Sequence, residues 1–298
     1  MKLLNLTLSL ALTLGLLTGC APVASGSASA ETTRQETGST TADTTATQIT
    51  FTDTAVTASN AAGLEINGTA LTIDNAGTYL LTGQCADGSV KVAKGTTGVT
   101  LVLDGLNLTS KTTAPIVCGK SSQVTIEAAE STESTLQDSE NNAEDSGNAD
   151  AENAVIKCKD GSQVTLTGSG TLNILAQGKN GIKSGATTQA EGEASLTVQN
   201  LVLNIEAPNN DAINAEATLN IESGTLTLSA GDDALHSDYT LNIGSENTTG
   251  PTVTVTASNE GLEGATVNIC SGTIHITSTD DCINAANGDL TDYAYAIN

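Results

Sequence analysis

The chain has 298 residues, a formal net charge of -24, 29 glycines, no tryptophan and a single phenylalanine. An ordinary globular core draws on large aromatics, so this interior must be built from Val, Leu, Ile and Ala, as stacked aliphatic ladders allow. The acidic balance excludes nucleic acid and anionic membrane surfaces as electrostatic partners and favours cations, or ligands reached through cations.

Met1-Lys2 and the apolar run Leu3 to Leu17 predict a secretion signal, too short to span a bilayer. The run ends in Leu17-Thr18-Gly19-Cys20, which resembles the lipobox of bacterial lipoproteins. That resemblance implies cleavage before Cys20 and acylation of its thiol, so residues 1–20 are expected to be a lipoprotein signal peptide. An ordinary signal peptide followed by a chance cysteine is the alternative. On the lipoprotein reading the protein is extracellular, anchored at the cell surface, and meets the membrane only through its N-terminal lipid. Residues 21–48 are Ser, Thr and Ala with scattered charges, a disordered tether.

From Ile49 the chain alternates apolar residues with Thr, Ser and Asn, broken by Gly, Asn and Asp, which is the pattern of strands with turns between them. Gly77 to Gly83 and Val99 to Gly105 are expected to open the array. Residues 131–153, acidic and almost without aliphatics, are expected to be an insertion loop. Within one clear repeat, Thr218 to Ile221 and Thr225 to Ala230 predict strands and Ala234 to His236 a short third one. Its inward set is Leu219, Ile221, Leu226, Leu228 and Leu235. Residues 164–174 and 266–276 follow the same grammar. Tyr293 to Asn298 reads as a strand opening with nothing after it, so C-terminal truncation is expected.

The phrase polar, small, aliphatic recurs as Asn180-Gly181-Ile182, Asp211-Ala212-Ile213, Asp233-Ala234-Leu235, Glu260-Gly261-Leu262 and Asp281-Cys282-Ile283, the last four at steps of 22, 27 and 21 residues. A β-rich repeat near that length predicts an all-β fold, a right-handed single-stranded parallel β-helix, as a solenoid over residues 49–298. A sandwich would show antiparallel hairpins instead. Five cysteines follow Cys20, an odd number. Cys118 and Cys158 hold equivalent places in two repeats, either as buried apolar residues or as a strained bridge between strands.

Two positions before the aliphatic anchor the column reads Ala114, Ala154, Asn180, Asp211, Asp233, Glu260 and Asp281. Three before, it reads Lys179, Asn210, Asp232, Asn259 and Asp280. Strands about 4.8 Å apart would make neighbouring carboxylates repel by roughly 3 to 4 kcal/mol at an effective dielectric near 20. Either their proton affinities rise or a cation sits among them. Oxygen donors from Asp, Glu and Asn select a hard cation, calcium before magnesium. The candidate metal residues are therefore Asp211, Asp232, Asp233, Glu260, Asp280, Asp281, Asn180, Asn210 and Asn259. The competing reading is a row of solvated corner residues chosen because Asp and Asn suit turns. Which of the acids face outward is left open by alternation alone. His236 and His275 have no second His or Cys at zinc-ligand spacing.

Gly77-Thr78-Tyr79-Leu80-Leu81-Thr82-Gly83, Thr100 to Gly105, Gly168 to Leu172 and Asn180-Gly181-Ile182-Lys183-Ser184 resemble the carbohydrate-binding β-helix family of secreted bacterial lipoproteins. The resemblance covers about Ile49 to the C-terminus. It implies a pectate-lyase-like parallel β-helix that binds calcium and associates with plant cell-wall polysaccharide, pectic or cellulosic. The family's usual phrase is Asp-Gly-Ile-Lys. Here Lys183 keeps the lysine, the later repeats carry Asn214, His236, Glu263 and Asn284, and Cys282 replaces the glycine. Lys183, His236, Glu263 and Tyr239 are the candidate carbohydrate contacts.

Three classes of function compete on this sequence: a binding module, an enzyme (lyase or hydrolase) and an adhesin. A non-catalytic, calcium-dependent binder of acidic pectic polymer asks least, since calcium can bridge protein and uronate carboxylates and the lack of Trp argues against a stacking platform for cellulose. A polygalacturonate lyase would need an Arg or Lys base; the lone arginine is Arg34 in the tether, leaving Lys179 or Lys183 beside acids that raise a lysine's pKa. A hydrolase would need paired carboxylates, but Asp232-Asp233 and Asp280-Asp281 are expected to point apart at their turns. The third class is a surface adhesin in which calcium only stiffens the array. A monomer is expected in each case.

Overall fold

The structure, a computed structural model, describes residues 46–185, 194–288, 290 and 293–298. The expected signal peptide, Cys20 and nearly all of the tether lie outside the described residues. The first strand, Thr47–Phe51, begins two residues ahead of Ile49.

The described chain is all-β, apart from two single-turn 3-10 segments, Glu140–Asn142 and Glu144–Ser146. Its strands fall into three mostly parallel ladders, because each repeat returns the chain to the same three lines. The anchor ladder aligns Val90, Ile116, Ile156, Ile182, Ile213, Leu235, Leu262 and Ile283 in one continuous register. A second ladder runs through Val99–Leu103, Gln123–Ala128, Gln163–Gly168, Ser195–Val198 and Thr218–Ile221. A third runs through Asn107–Thr109, Glu133–Gln137, Thr171–Leu175, Val202–Ala207, Thr225–Ala230, Thr252–Ala257 and Thr273–Ile276.

Alternation decides which side chains enter the interior. Leu219, Ile221, Leu226, Leu228 and Leu235 are all fully buried, as their period of two requires. Phe51 is buried where Thr47–Phe51 joins the second ladder beside Gly77–Cys85. Cys118 and Cys158 are register partners, both buried and unbridged. A hydrogen bond between the thiols, then burial, holds the Cys118 pKa well above the ordinary thiol range.

One expectation is corrected, and one exception to the parallel pattern is found. The segment 131–153 is not wholly a loop, since Glu133–Gln137 joins the third ladder with Leu136 between Leu108 and Ile174. Ser134 takes an inward place where an aliphatic would be expected, and its Oγ accepts from the Leu106 N–H at 3.1 Å. The remainder is tied down by a buried polar pair: Asp138 accepts from the Gln177 and Gly178 N–H groups, and Asn142 donates to Asp138 and to the Ala154 carbonyl. Burial pushes the Asp138 carboxyl pKa up although these donors oppose the shift. Antiparallel pairs do occur, at the N-terminal edge: Thr47–Phe51 with Val56–Ala58, and Leu64–Asn67 with Ala70–Ile73.

Candidate functional site

The polar, small, aliphatic phrase is the corner at which the third ladder hands the chain to the anchor ladder. Its middle residue must be small because the next repeat passes close by. A Cβ on Gly181 would lie 2.5 Å from the Ala212 carbonyl oxygen and 2.5 Å from an Ile205 methyl. The backbones are then tied in sequence: Gly181 N–H donates to Asp211 O, Ala212 N–H to Asp233 O, Ala234 N–H to Glu260 O and Gly261 N–H to Asp281 O. The acids thus stack because their own carbonyls form a ladder.

That arrangement settles which side of the corner is inward. Ala114, Ala154, Asn180, Asp211 and Asp233, two before the anchor, are buried; Glu260 is half-buried and Asp281 exposed in the last repeats. Three before the anchor, Asp232, Asn259 and Asp280 are exposed, while Lys179 and Asn210 are half-buried. The adjacent pair Asp232-Asp233 does not point apart. Oxygens of Asp211, Asp232 and Asp233 lie within 4.8 Å of one another.

Each buried acid is partnered three residues on. Asp211 accepts from Asn214 Nδ2 at 2.5 Å and, through its other oxygen, from the Asp233 N–H at 3.1 Å. Asn214 Oδ1 is buried with no hydrogen-bond partner among the described residues. Asp233 meets His236 Nδ1 at 3.0 Å, and Glu263 from the next repeat meets the same nitrogen at 2.8 Å. Asp238 takes Nε2 at 2.9 Å. Burial alone would depress the His236 pKa, but hydrogen bonds to Asp233, Asp238 and Glu263 outweigh it and push it up to about 12. Burial pushes Asp233 up to about 7, with the charges of Asp211 and Glu263 adding to it and the His236 contact opposing. Glu263 is held below the usual range, first by His236.

His236 thus sets both ring nitrogens against carboxylate oxygens, an arrangement that favours the imidazolium. Asp233, His236 and Glu263 also lie close enough together to ligate an ion, and the contacts they make with one another are those of an ion-pair network. The all-oxygen group Asp211, Asp232 and Asp233 is the one whose chemistry fits a hard cation.

The other candidates are dispersed along the same corner. Asn180 donates to the Asn153 carbonyl and accepts from Asn210, so those two amides bind each other. Asn259 accepts from Thr279, Glu260 accepts from Asn284, and Asp280 lies exposed beside Asp281. Lys183 pairs with Glu216 at 2.9 Å. Tyr239 stands edge-on to Tyr293 with ring centroids 6.5 Å apart, and Tyr295 tilts against Tyr293 at 5.6 Å.

Sequence reasoning missed Asn214 as an acid partner, Asp238 and Lys157. The first has a legible signal, since Asp211/Asn214 and Asp233/His236 share one spacing. Lys157 is the register partner of Lys183, so the lysine of the family phrase survives twice. Burial, then the Lys183 ammonium, holds the Lys157 pKa below the usual lysine range.

The geometry defines a mostly parallel all-β array with an acidic corner, and the comparisons narrow it further. The chain belongs to the family of carbohydrate-binding domain-containing proteins, whose model matches residues 67–267. A carbohydrate-binding domain-containing protein of Acetivibrio thermocellus is 31% identical over 153 residues, 51% of this chain and 52% of that relative. The chain thus spans about half the length of the curated relative it matches. Among solved structures, the polysaccharide lyase-like protein from C. thermocellum, a gadolinium derivative, is similar with a TM-score of 0.65 at 22% identity, over 80% of this chain and 93% of that one. At that identity the likeness concerns the fold.

Proposed function

We propose that the protein is a non-catalytic module that binds acidic plant cell-wall polysaccharide, pectic rather than cellulosic, in a calcium-dependent way. The three ladders are read as successive coils of a right-handed single-stranded parallel β-helix, the hand favoured for parallel crossovers. On this reading the module is secreted and held at the cell surface through a lipid on Cys20.

The observation that carries the proposal is the convergence of Asp211, Asp232 and Asp233, with oxygens within 4.8 Å, beside the unpartnered Asn214 Oδ1. Burial raises the proton affinity of Asp211 and Asp233, and neighbouring carboxylates add to it, which is consistent with a corner that would gain from a cation. A calcium ion held there would offset that repulsion and leave coordination positions for a uronate carboxylate. Membership in a carbohydrate-binding family supports the sugar half of the reading.

The lyase alternative has one observation in its favour, the lowered pKa of Lys157, which is the direction a base requires. Lys157 lies two steps of the anchor ladder before the Asp211 repeat and three before the Asp232-Asp233 repeat, about 10 and 14 Å at ordinary strand spacing, while Lys183, one step before the Asp211 repeat, is paired with Glu216. The test is retention of the purified chain on polygalacturonate with calcium and with chelator, while following ultraviolet absorbance of unsaturated products. Calcium-dependent retention without absorbance supports binding, and growing absorbance overturns it in favour of a lyase.

A further inference from the structure

The third ladder presents a second, chemically different surface. Thr135, Asn173, Asn204 and Thr227 are register partners that stand outward in one row, and Leu175, Glu206 and Ser229 form the row beside it. Between them lies a groove of about 410 Å³, within the usual range for ligand clefts. It crosses four strands, roughly 14 Å at ordinary spacing.

The groove is built by two local features. Asn204 donates to Asn173 at 2.9 Å, and Asn173 donates to Glu133 at 2.6 Å, so the amides are held in fixed orientation. At the far end the register between Thr225–Ala230 and Thr252–Ala257 slips: Leu228 faces Val255 but Ser229 faces Ala257. Thr256 is the extra residue; its hydroxyl donates to the Leu228 carbonyl at 3.1 Å, and the residue lines the far end of the groove. Bulges of this kind re-aim a side chain.

We infer that this groove is a second glycan site, one that takes a stretch of extended neutral polysaccharide and needs no metal. The groove offers apolar surface from Leu175 and threonine methyls, which suits the C–H faces of pyranose rings. Fixed amides and hydroxyls flank that surface and suit ring hydroxyls. Among its lining residues Glu206 is the one charged group and there is no cation, so an acidic polymer finds nothing to pair with. The family supplies the ligand class, and the register shift at Thr256 supplies a boundary that a plain repeat would lack. The inference does not depend on calcium at the acidic corner.

The test is calorimetry of the full chain, in chelator, against cellohexaose, xylohexaose and mannohexaose, with polygalacturonate plus calcium as a separate arm. At least one neutral hexasaccharide should bind, and Asn173→Ala/Asn204→Ala should weaken it tenfold or more, as should Thr227→Trp, which fills the groove. Failure of all three sugars, or binding indifferent to both groove variants, overturns the inference. The polygalacturonate arm reads the acidic corner independently, and an unchanged urea midpoint identifies variants that remain folded.

Discussion

Glu263 and His236 meet at 2.8 Å across 27 residues of chain because they occupy the same outward position in register-paired repeats. Asp233, three residues before His236, reaches the same ring nitrogen. One imidazolium thereby compensates carboxylates from two repeats, and Asp238 completes the cluster at the other nitrogen.

Replacing that cation should be costly. His236→Ala leaves Asp233, Asp238 and Glu263 facing one another, and a loss of roughly 1 to 3 kcal/mol is expected for a partly exposed network of this kind. Urea unfolding at neutral pH, in chelator, measures it. Asp233→Asn in the same background should recover part of the loss.

Stability should also depend on pH with a definite sign. The folded-state pKa of His236 is raised to about 12 and that of Asp233 to about 7. Each group holds its proton more tightly when folded, so each contribution is fully present below its unfolded pKa and is lost as pH rises through the folded value. The cation-free protein should therefore lose stability from about pH 4 to 7 through Asp233, a slope that Asp233→Asn flattens. The His236 contribution declines at higher pH. Denaturant midpoints across this range decide the matter.

Calcium should raise the thermal midpoint of the wild-type chain, as any ligand specific to the folded state does. Asp232→Asn should abolish most of that rise. Because Asp232 is exposed, the same variant should change metal-free stability by no more than about 0.5 kcal/mol. A calcium response surviving in this variant would place the ion elsewhere.

Gly181→Ala probes the corner itself. The added Cβ would sit 2.5 Å from a backbone carbonyl that cannot swing aside, and overpacking of this sort costs about 1 to 3 kcal/mol. The outcome is read from equilibrium unfolding, with Gly288→Ala, which like Gly181 lacks a left-handed φ and whose Cβ meets open space, as the comparison.

Of the five cysteines beyond Cys20, the exposed Cys270 and Cys282 should react with a thiol reagent in the native state, whereas Cys85, Cys118 and Cys158 should react only on unfolding. Mass spectrometry of alkylated peptides before and after denaturation separates the two sets. Early labelling of Cys118 or Cys158 would show that the ladder opens locally.

Repetition and alternation were enough to place the anchor column and the strands Thr218–Ile221 and Thr225–Ala230, because a side chain's face in an extended strand follows from parity alone. The same parity assigned the buried aliphatics and showed that acids replace alanine in the later repeats. It could not say that Glu133–Gln137 is a strand, since Ser134 fills an inward place through a backbone hydrogen bond supplied by another repeat. Nor could it orient the corner. There the direction of Asp211, Asp232 and Asp233 depends on turn dihedrals and on the repeat above, so their convergence and the central place of His236 exist only once the coordinates of neighbouring repeats are fixed. Sequence carries the period; the contacts between periods belong to the tertiary structure.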